Sequence, residues 1–290
     1  MPGSGVGFGV AVSGAWQCLG MELSATRYEV AGGVATIWLH RPHRHNAWTG
    51  RMHTEYRALL QRAEDDPDVR VVVVTGSGDA FSVGADSQAL EGHAERGGYD
   101  PGTGPDLARP GFGFRPEFDA DFAYHYGLSM PVIAAVNGPC AGVGLVLACY
   151  ADLRFAARGA TLSAAHGKLG LPTEYGLSWV LPRLVGMTRA ADVLLSSRRL
   201  KAEETEGWGL FNAIVEPTDL ADRVAAYAQD LATTVSPASM RVTKRALYAD
   251  QHRDVGAAVA ESGRLLAEMM GEPDFREGVK ALLERRPPMF

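Results

Sequence analysis

Two glycine-rich turns, each following a run of β-branched and apolar residues, are the first candidates for chemistry in this sequence. Gly76 to Asp86 reads GSGDAFSVGAD after VRVVVVT, and Asn137 to Gly144 reads NGPCAGVG after PVIAAV. The second turn opens an apolar run of helical character that carries no acid or base before Asp152. A helix start presents unpaired backbone N–H groups and the positive end of a dipole, so two such ends brought together would cradle a developing anion. Glycine suits that role because it lets backbone approach a ligand, and no side chain is required. Phosphate binding is the rival chemistry for such turns. Neither spells G-x-G-x-x-G, however: Gly76 and Gly78 lead to Phe81, and Gly142 and Gly144 lead to Leu147. Two tight, closely packed turns without chemistry are the plain alternative.

The elements that must position these turns are legible around them. Arg27 to Leu39 is a pair of β-rich runs joined at Gly32-Gly33, a hairpin signal. Thr49 to Ala63 has helical spacing and ends near Asp65-Asp66-Pro67. Val69 to Thr75, Pro131 to Val136 and Asp152 to Ala156 read as strands, the first two buried on both faces. Strand, loop and helix recur, which implies parallel pairing through crossovers. From Thr188 onward the pattern is mostly helical, through ADVLLSS, KAEETEGWG and Asp219 to Met270, with a short strand at FNAIVEP. Glu91 to Tyr126 is glycine-, proline- and aromatic-rich and too long for an ordinary connection, as lids and disordered segments are. The expected organisation is a disordered tail over 1–22, a core over 23–215 with an insertion at about 91–126, and a helical region over 216–290.

Bulk properties narrow the function classes. A chain of 290 residues can enclose a site, and 46% hydrophobic with 21% charged residues is an ordinary globular composition. The formal net charge of -6 argues against nucleic acid as a partner. Cys18, Cys140 and Cys149 form no CxxC pair, which fits a reducing, cytoplasmic setting. The opening MPGSGVGFGVAVSGAWQCLG lacks a basic n-region and is too glycine-broken for a signal or membrane helix, and Met21 is an alternative start. No metal cluster or redox cofactor is indicated.

The ordered series RPHRHNAW, AFSVGAD, PVIAAVNGPCAGVGLVLACYADLRFA, GLPTEYGLSWVLPRLVG and FREGVKALLERRPPMF resembles the enoyl-CoA hydratase/isomerase (crotonase) superfamily, over roughly Tyr28 to Phe290. The resemblance implies an α/β fold, a crotonase-like spiral of ββα units with a helical C-terminal region. It implies binding of an acyl-CoA thioester and stabilisation of its enolate by two backbone N–H groups, which match Ala85 and Val143 here. Coenzyme A contacts carry over to Arg44, Asn46, Ala47, Ser82, Gly84, Ala85, Asp86, Gly142 and Lys280. Coenzyme A would enter as part of the substrate, with no permanently bound cofactor. A homotrimer or homohexamer with C-terminal helices at the subunit contacts, and a place in fatty acid and lipid metabolism, are further implications.

The sequence departs from the family pattern where it matters most for chemistry. Hydration needs a base for water and an acid for the α-carbon, which the hydratases provide with two glutamates. The matching positions hold Val146 and His166. A third position, used for a carboxylate in the isomerase and ring-modifying branches, holds Glu174. Glu174 with His166 is thus the candidate proton-handling pair. It suits hydration or double-bond isomerisation of a non-standard acyl group, hydrolytic C–C cleavage of a β-keto thioester being the alternative and a non-catalytic acyl-CoA binder the other. Each residue also has a plain role available: His166 as a structural histidine, Glu174 as a helix N-terminal charge, Arg44 as a solvated cation and Asp86 as a helix cap. Trp48 and Tyr175 could line an acyl pocket, and Tyr124-His125-Tyr126 reads as packing at the end of the insertion. The insertion suggests a branched, cyclic or aromatic acyl group.

Overall fold

The computed structural model describes residues 22–96 and 107–290. The expected tail, apart from Glu22, and the middle of the insertion lie outside the described residues. Strands β1 (Thr26–Ala31) and β2 (Val34–Leu39) form the antiparallel hairpin, turning at Gly32 and Gly33, both at positive φ. Helix α1 (Gly50–Asp65) starts at Thr49, whose side chain accepts from the Met52 N–H at 3.1 Å, a standard N-cap. Strand β3 (Val71–Gly76) pairs parallel with β2, as its β-branched run predicts for a strand covered on both faces.

The spiral is built by repetition. Helix α2 (Ser87–Arg96) follows β3, and then come β4 (Val132–Val136), the short β5 (Cys140–Ala141) and α3 (Val143–Tyr150). Strands β6 (Leu153–Ala157) and β7 (Thr161–Ser163) precede α4 (Leu177–Val185) and α5 (Met187–Ser196). The larger sheet has the order β1-β2-β3-β4-β6-β9, parallel from β2 onward, and the smaller has β5-β7-β8. In two successive turns of the spiral, β4 with β5 and β6 with β7, one strand goes to each sheet. Ser82 does the same after β3 by bridging Cys140.

KAEETEGWG differs from the helical expectation. It holds β8 (Leu200–Lys201) and a single 3-10 turn, Ala202–Thr205, before β9 (Ala213–Val215). Pairing of Leu200 with Leu162 outweighs the helix-forming glutamates, and Gly207 and Gly209, both at positive φ, stop propagation. The long span after Asp219 is helical but broken into α6 (Leu220–Thr234), α7 (Pro237–Ala249) and α8 (Val255–Met269), followed by α9 (Pro273–Glu284).

Two cores sandwich the larger sheet. Val71, Val73, Ile133, Ala135 and Phe155 meet Leu220, Val224 and Ala228 of α6 on one face. The opposite face carries Ile37, Leu39, Val72, Val74, Ala134 and Val136 against α1, α3 and α4. Helix α7 is pinned by a buried ion pair, Lys244 Nζ to Asp152 Oδ2 at 2.7 Å, with Tyr248 donating to Asp152 Oδ1 at 2.8 Å. The described end of the insertion is packed rather than loose. Phe118, Phe122, Tyr124, His125 and Tyr126 are buried, and the Tyr56 hydroxyl lies 2.7 Å from His125 Nε2. Burial pushes His125 well below its usual pKa, so it serves as a neutral core residue.

Candidate active site

The two glycine turns meet. A Cβ placed on Gly142 would lie 3.5 Å from the Gly84 Cα, and one on Gly84 would lie 3.0 Å from the Ala141 carbonyl oxygen. Both residues have positive φ, +94° at Gly84 and +51° at Gly142, so conformation favours glycine at each, and at Gly84 the close approach of Ala141 does so as well. Ala85, which follows Gly84, forms a parallel bridge with Trp48. The Trp48 N–H donates to Gly84 O at 2.7 Å and the Asp86 N–H to Trp48 O at 2.9 Å, which turns the Ala85 N–H to the other side. Val143 is the first residue of α3, so its N–H has no partner within the helix. Among the described residues no acceptor takes the N–H of Ala85 or of Val143. Two free donors at one junction can receive an oxyanion.

The residues around the first turn divide by what they do. Asn46 is fully buried; its Nδ2 donates to Ser77 O and Ala80 O, and its Oδ1 accepts from the Arg41 N–H. Ser82, also fully buried, donates to Asn46 O at 2.8 Å. These two side chains hold the Arg41–Ala47 turn onto the Gly76–Asp86 turn, and their polar groups face each other's backbone. Ala47 contributes its carbonyl oxygen to Arg41 Nη1 at 2.7 Å. Asp86 pairs with Arg41 at 2.9 Å and Arg44 at 3.3 Å and accepts from the Gln88 N–H, capping α2. Burial opposes its charge, but the hydrogen bonds from Arg41, Gln88 and Arg44 prevail and hold the carboxyl below its usual range. Arg44 is 36% exposed, so its guanidinium is aimed by Asp86 with donors left for an anion from solution. Lys280 is exposed on α9, and no hydrogen bond or ion pair among the described residues ties it to this turn.

The second half of the site descends from β7. The Gly142 N–H donates to Ser163 O at 3.0 Å, so β7 runs beside the start of α3 and delivers His166 three residues later. His166 is buried, with Nδ1 3.3 Å from Ala164 O; a proton on Nδ1 leaves Nε2 as a base. Glu174 is half-buried in the loop before α4. Burial raises its carboxyl above the usual range, and His166 lies close enough to oppose that rise. Val146, 1% exposed on α3, is part of the core and adds no ionisable group.

Two contributors are not marked by the sequence pattern. Tyr150, at the end of α3, donates its hydroxyl to Tyr175 O at 2.9 Å and so clamps the turn that carries Glu174. That turn needs a clamp, since Tyr175 sits at a φ of +46°, costly for a residue with a side chain, whereas Gly176 at +70° does so freely. Phe122, from the insertion, packs 5.6 Å from the Trp48 ring and 5.1 Å from the Tyr175 ring. Trp48, Phe122 and Tyr175 therefore form an aromatic wall from the Ala85 side of the junction to the Glu174 side. A tyrosine inside an apolar run signals an amphipathic side chain in want of a partner; nothing local in the sequence singles out Phe122.

The description "Enoyl-CoA hydratase/isomerase" fits a family model that matches residues 29–290. A "Probable enoyl-CoA hydratase" of Rhodobacter capsulatus is 37% identical over 270 residues, covering 93% of this chain and 99% of that protein. A "1,2-epoxyphenylacetyl-CoA isomerase" of Escherichia coli is 33% identical, covering 90% and 96% respectively. The crystal structure of a probable enoyl-CoA hydratase/isomerase from Mycobacterium abscessus superposes with a TM-score of 0.80 at 32% identity, covering 91% of this chain and 98% of that one. The chain belongs to the enoyl-CoA hydratase/isomerase family, and its fold is the crotonase fold. No helix among the described residues is long and apolar enough to cross a membrane.

Proposed function

We propose that the protein binds an acyl-CoA thioester, receives its enolate oxygen on the N–H groups of Ala85 and Val143, and moves a proton at the acyl chain with Glu174. Coenzyme A enters as part of the substrate, its phosphates met by Arg44, while no permanent cofactor takes part. The observation that carries the reading is the environment of Glu174: a half-buried carboxyl on the loop before α4, raised by burial and within electrostatic reach of His166. A carboxyl tuned upward toward working pH is a better proton shuttle than an ordinary one.

Isomerisation is the preferred chemistry. Glu174 takes the α-proton of a β,γ-enoyl thioester, the charge spreads onto the thioester oxygen, and the same carboxyl returns the proton to the γ-carbon. One carboxyl suffices for both transfers, and Val146 contributes no second group. His166 beside Glu174 favours a second reading, in which the pair activates water for hydration or for hydrolytic C–C cleavage of a β-keto thioester. The Rhodobacter and Escherichia coli relatives bear hydratase and isomerase names respectively, so both chemistries lie within reach of this identity level. The name of the second also carries an epoxyphenylacetyl group, a ring-bearing acyl chain, which supports a substrate other than a short straight chain.

The test is mass spectrometry of the protein incubated with enoyl-, dienoyl- and cyclic β-keto-CoA thioesters in heavy-oxygen water. A product of unchanged mass with a shifted double bond is expected. Incorporation of heavy oxygen with the thioester intact would establish the water-activating reading instead. Binding without any product would identify a non-catalytic acyl-CoA binder.

The assembly proposed with this function is a homotrimer or homohexamer joined through the C-terminal helices. Its support is apolar surface: no residue of α8 is buried, and Val255, Val259 and Leu266 are exposed on it, as are Met270 just after it and Phe275, Val279, Leu282 and Leu283 on α9.

A further inference from the structure

Behind the Glu174 turn lies a cavity of about 410 Å³ walled by Phe118, Tyr126, Tyr150, Tyr175, Gly176 and Trp179. Its size is that of a small-molecule site, and its walls are mostly flat rings. Tyr175 belongs to two structures at once: it closes this cavity and, through Phe122, continues the aromatic wall that starts at Trp48 beside Ala85. The turn that carries Glu174 thus also supplies a wall of the cavity, through Tyr175 and Gly176.

We propose that this chamber receives the remote end of the acyl group, and that the group it selects is a neutral aryl ring carried on a short spacer. The inference rests on the acyl-CoA reading above and adds the substrate class to it. The ring preference comes from the walls. Tyrosine and tryptophan faces and edges set around one space offer an aromatic guest edge-to-face and offset contacts that a straight chain cannot use. The spacer comes from the distance. Tyr150 follows Val143 by seven residues, about 10 Å along the helix axis, and its side chain leans back toward that end. A ring attached directly to the thioester carbonyl would stop short of the chamber.

Neutrality comes from the rim. Asp121 and Glu117 both face the cavity. Asp121 is held as an anion by His53 at 3.5 Å and Arg57 at 2.9 Å, and the hydrogen bond from His53 leads the causes that keep its carboxyl below the usual range. Glu117 is likewise paired with Arg115, so both arginines at the rim are already engaged by acids and a carboxylate at the end of the acyl chain gains no partner from them; dicarboxylic acyl groups are disfavoured. His252, which also lines the cavity, has its ring stacked on Trp179 at 6.0 Å.

The experiment is calorimetric titration of the purified full chain with three saturated thioesters, which have no double bond to shift: butanoyl-CoA, 4-phenylbutanoyl-CoA and glutaryl-CoA. The phenyl compound is expected to bind about tenfold or more tightly than butanoyl-CoA, and glutaryl-CoA no more tightly than butanoyl-CoA. Two variants are run beside the parent. Ala120→Trp places a bulky ring at the exposed edge of the chamber, and Trp179→Leu removes a wall; each should bring the phenyl-to-butanoyl ratio close to one, with melting curves reporting that both fold. Equal affinity of the parent for butanoyl- and phenylbutanoyl-CoA, or a ratio unchanged in both folded variants, overturns the chamber assignment alone. Failure of all three thioesters to bind overturns the acyl-CoA reading and this inference with it.

Discussion

In Gly144→Ala the added methyl would lie 2.4 Å from the Ser82 carbonyl oxygen and 3.0 Å from the Ser82 Cβ. Ordinary contact begins near 3.4 Å, so the start of α3 and the Gly76–Asp86 turn would have to part by about 1 Å. Neither side can give by rotating a side chain, because the Ser82 backbone also accepts from Ala141 N–H at 2.9 Å and its hydroxyl is fixed on Asn46 O. The movement therefore falls on the junction that carries the Ala85 and Val143 N–H groups. Overpacking of this kind destabilises by about 1–3 kcal/mol, and misplacing a catalytic group by about 1 Å slows a reaction by roughly 100-fold. The assay is kcat on whichever thioester of the panel turns over, with a urea melt of the same sample. Gly144→Ala protein that keeps kcat within about threefold of the parent would refute the argument that the two turns form one rigid donor pair.

Other outcomes follow from the same geometry. Because the folded-state pKa of Glu174 is raised, its contribution to stability is complete below about pH 4.5 and is lost as pH rises through the raised value. Glu174→Gln should therefore melt higher than the parent at neutral pH and equally at pH 4, as read by calorimetric melting across pH. Lys244→Ala leaves Asp152 buried without its cation and should destabilise the fold by about 3–5 kcal/mol in urea titration. Tyr150→Phe removes the hydroxyl bond to Tyr175 O; kcat should fall several-fold with a shifted acidic limb of the pH–rate profile, while KM stays close to the parent's. Val259→Glu with Leu266→Glu on α8 should lower the mass seen in analytical ultracentrifugation, if the exposed face of that helix joins subunits.

The hairpin, α1 and the buried strands were legible because each carries a local signal: Gly32-Gly33 at a positive-φ turn, Thr49 as a side-chain cap, and β-branched runs in β3 and β4. The convergence of Gly84 with Gly142 was legible only through the resemblance, since no local rule brings together turns so far apart in sequence. The role of KAEETEGWG was misjudged because its glutamates favour a helix, whereas pairing of Leu200 with Leu162 is a tertiary effect. Among site residues, Asp86 as a cap followed from its position before a helix. The burial of Asn46 and Ser82 did not, because polar side chains that hold one turn onto another look like exposed ligand contacts in one dimension. Phe122 escaped altogether, being one of many aromatic residues in the insertion and distinguished only by where the chain carries it.

The central claim is that Glu174 moves a proton on an acyl-CoA held by two backbone donors, and it is tested most directly by exchange at the α-carbon. Butanoyl-CoA or the panel's substrate is incubated in heavy water with parent and Glu174→Gln protein, and deuterium uptake is followed by mass spectrometry. The account predicts uptake with the parent and a loss of about 100-fold or more with Glu174→Gln, at a thioester affinity within a few-fold of the parent's. Undiminished uptake by the Glu174→Gln protein would contradict it.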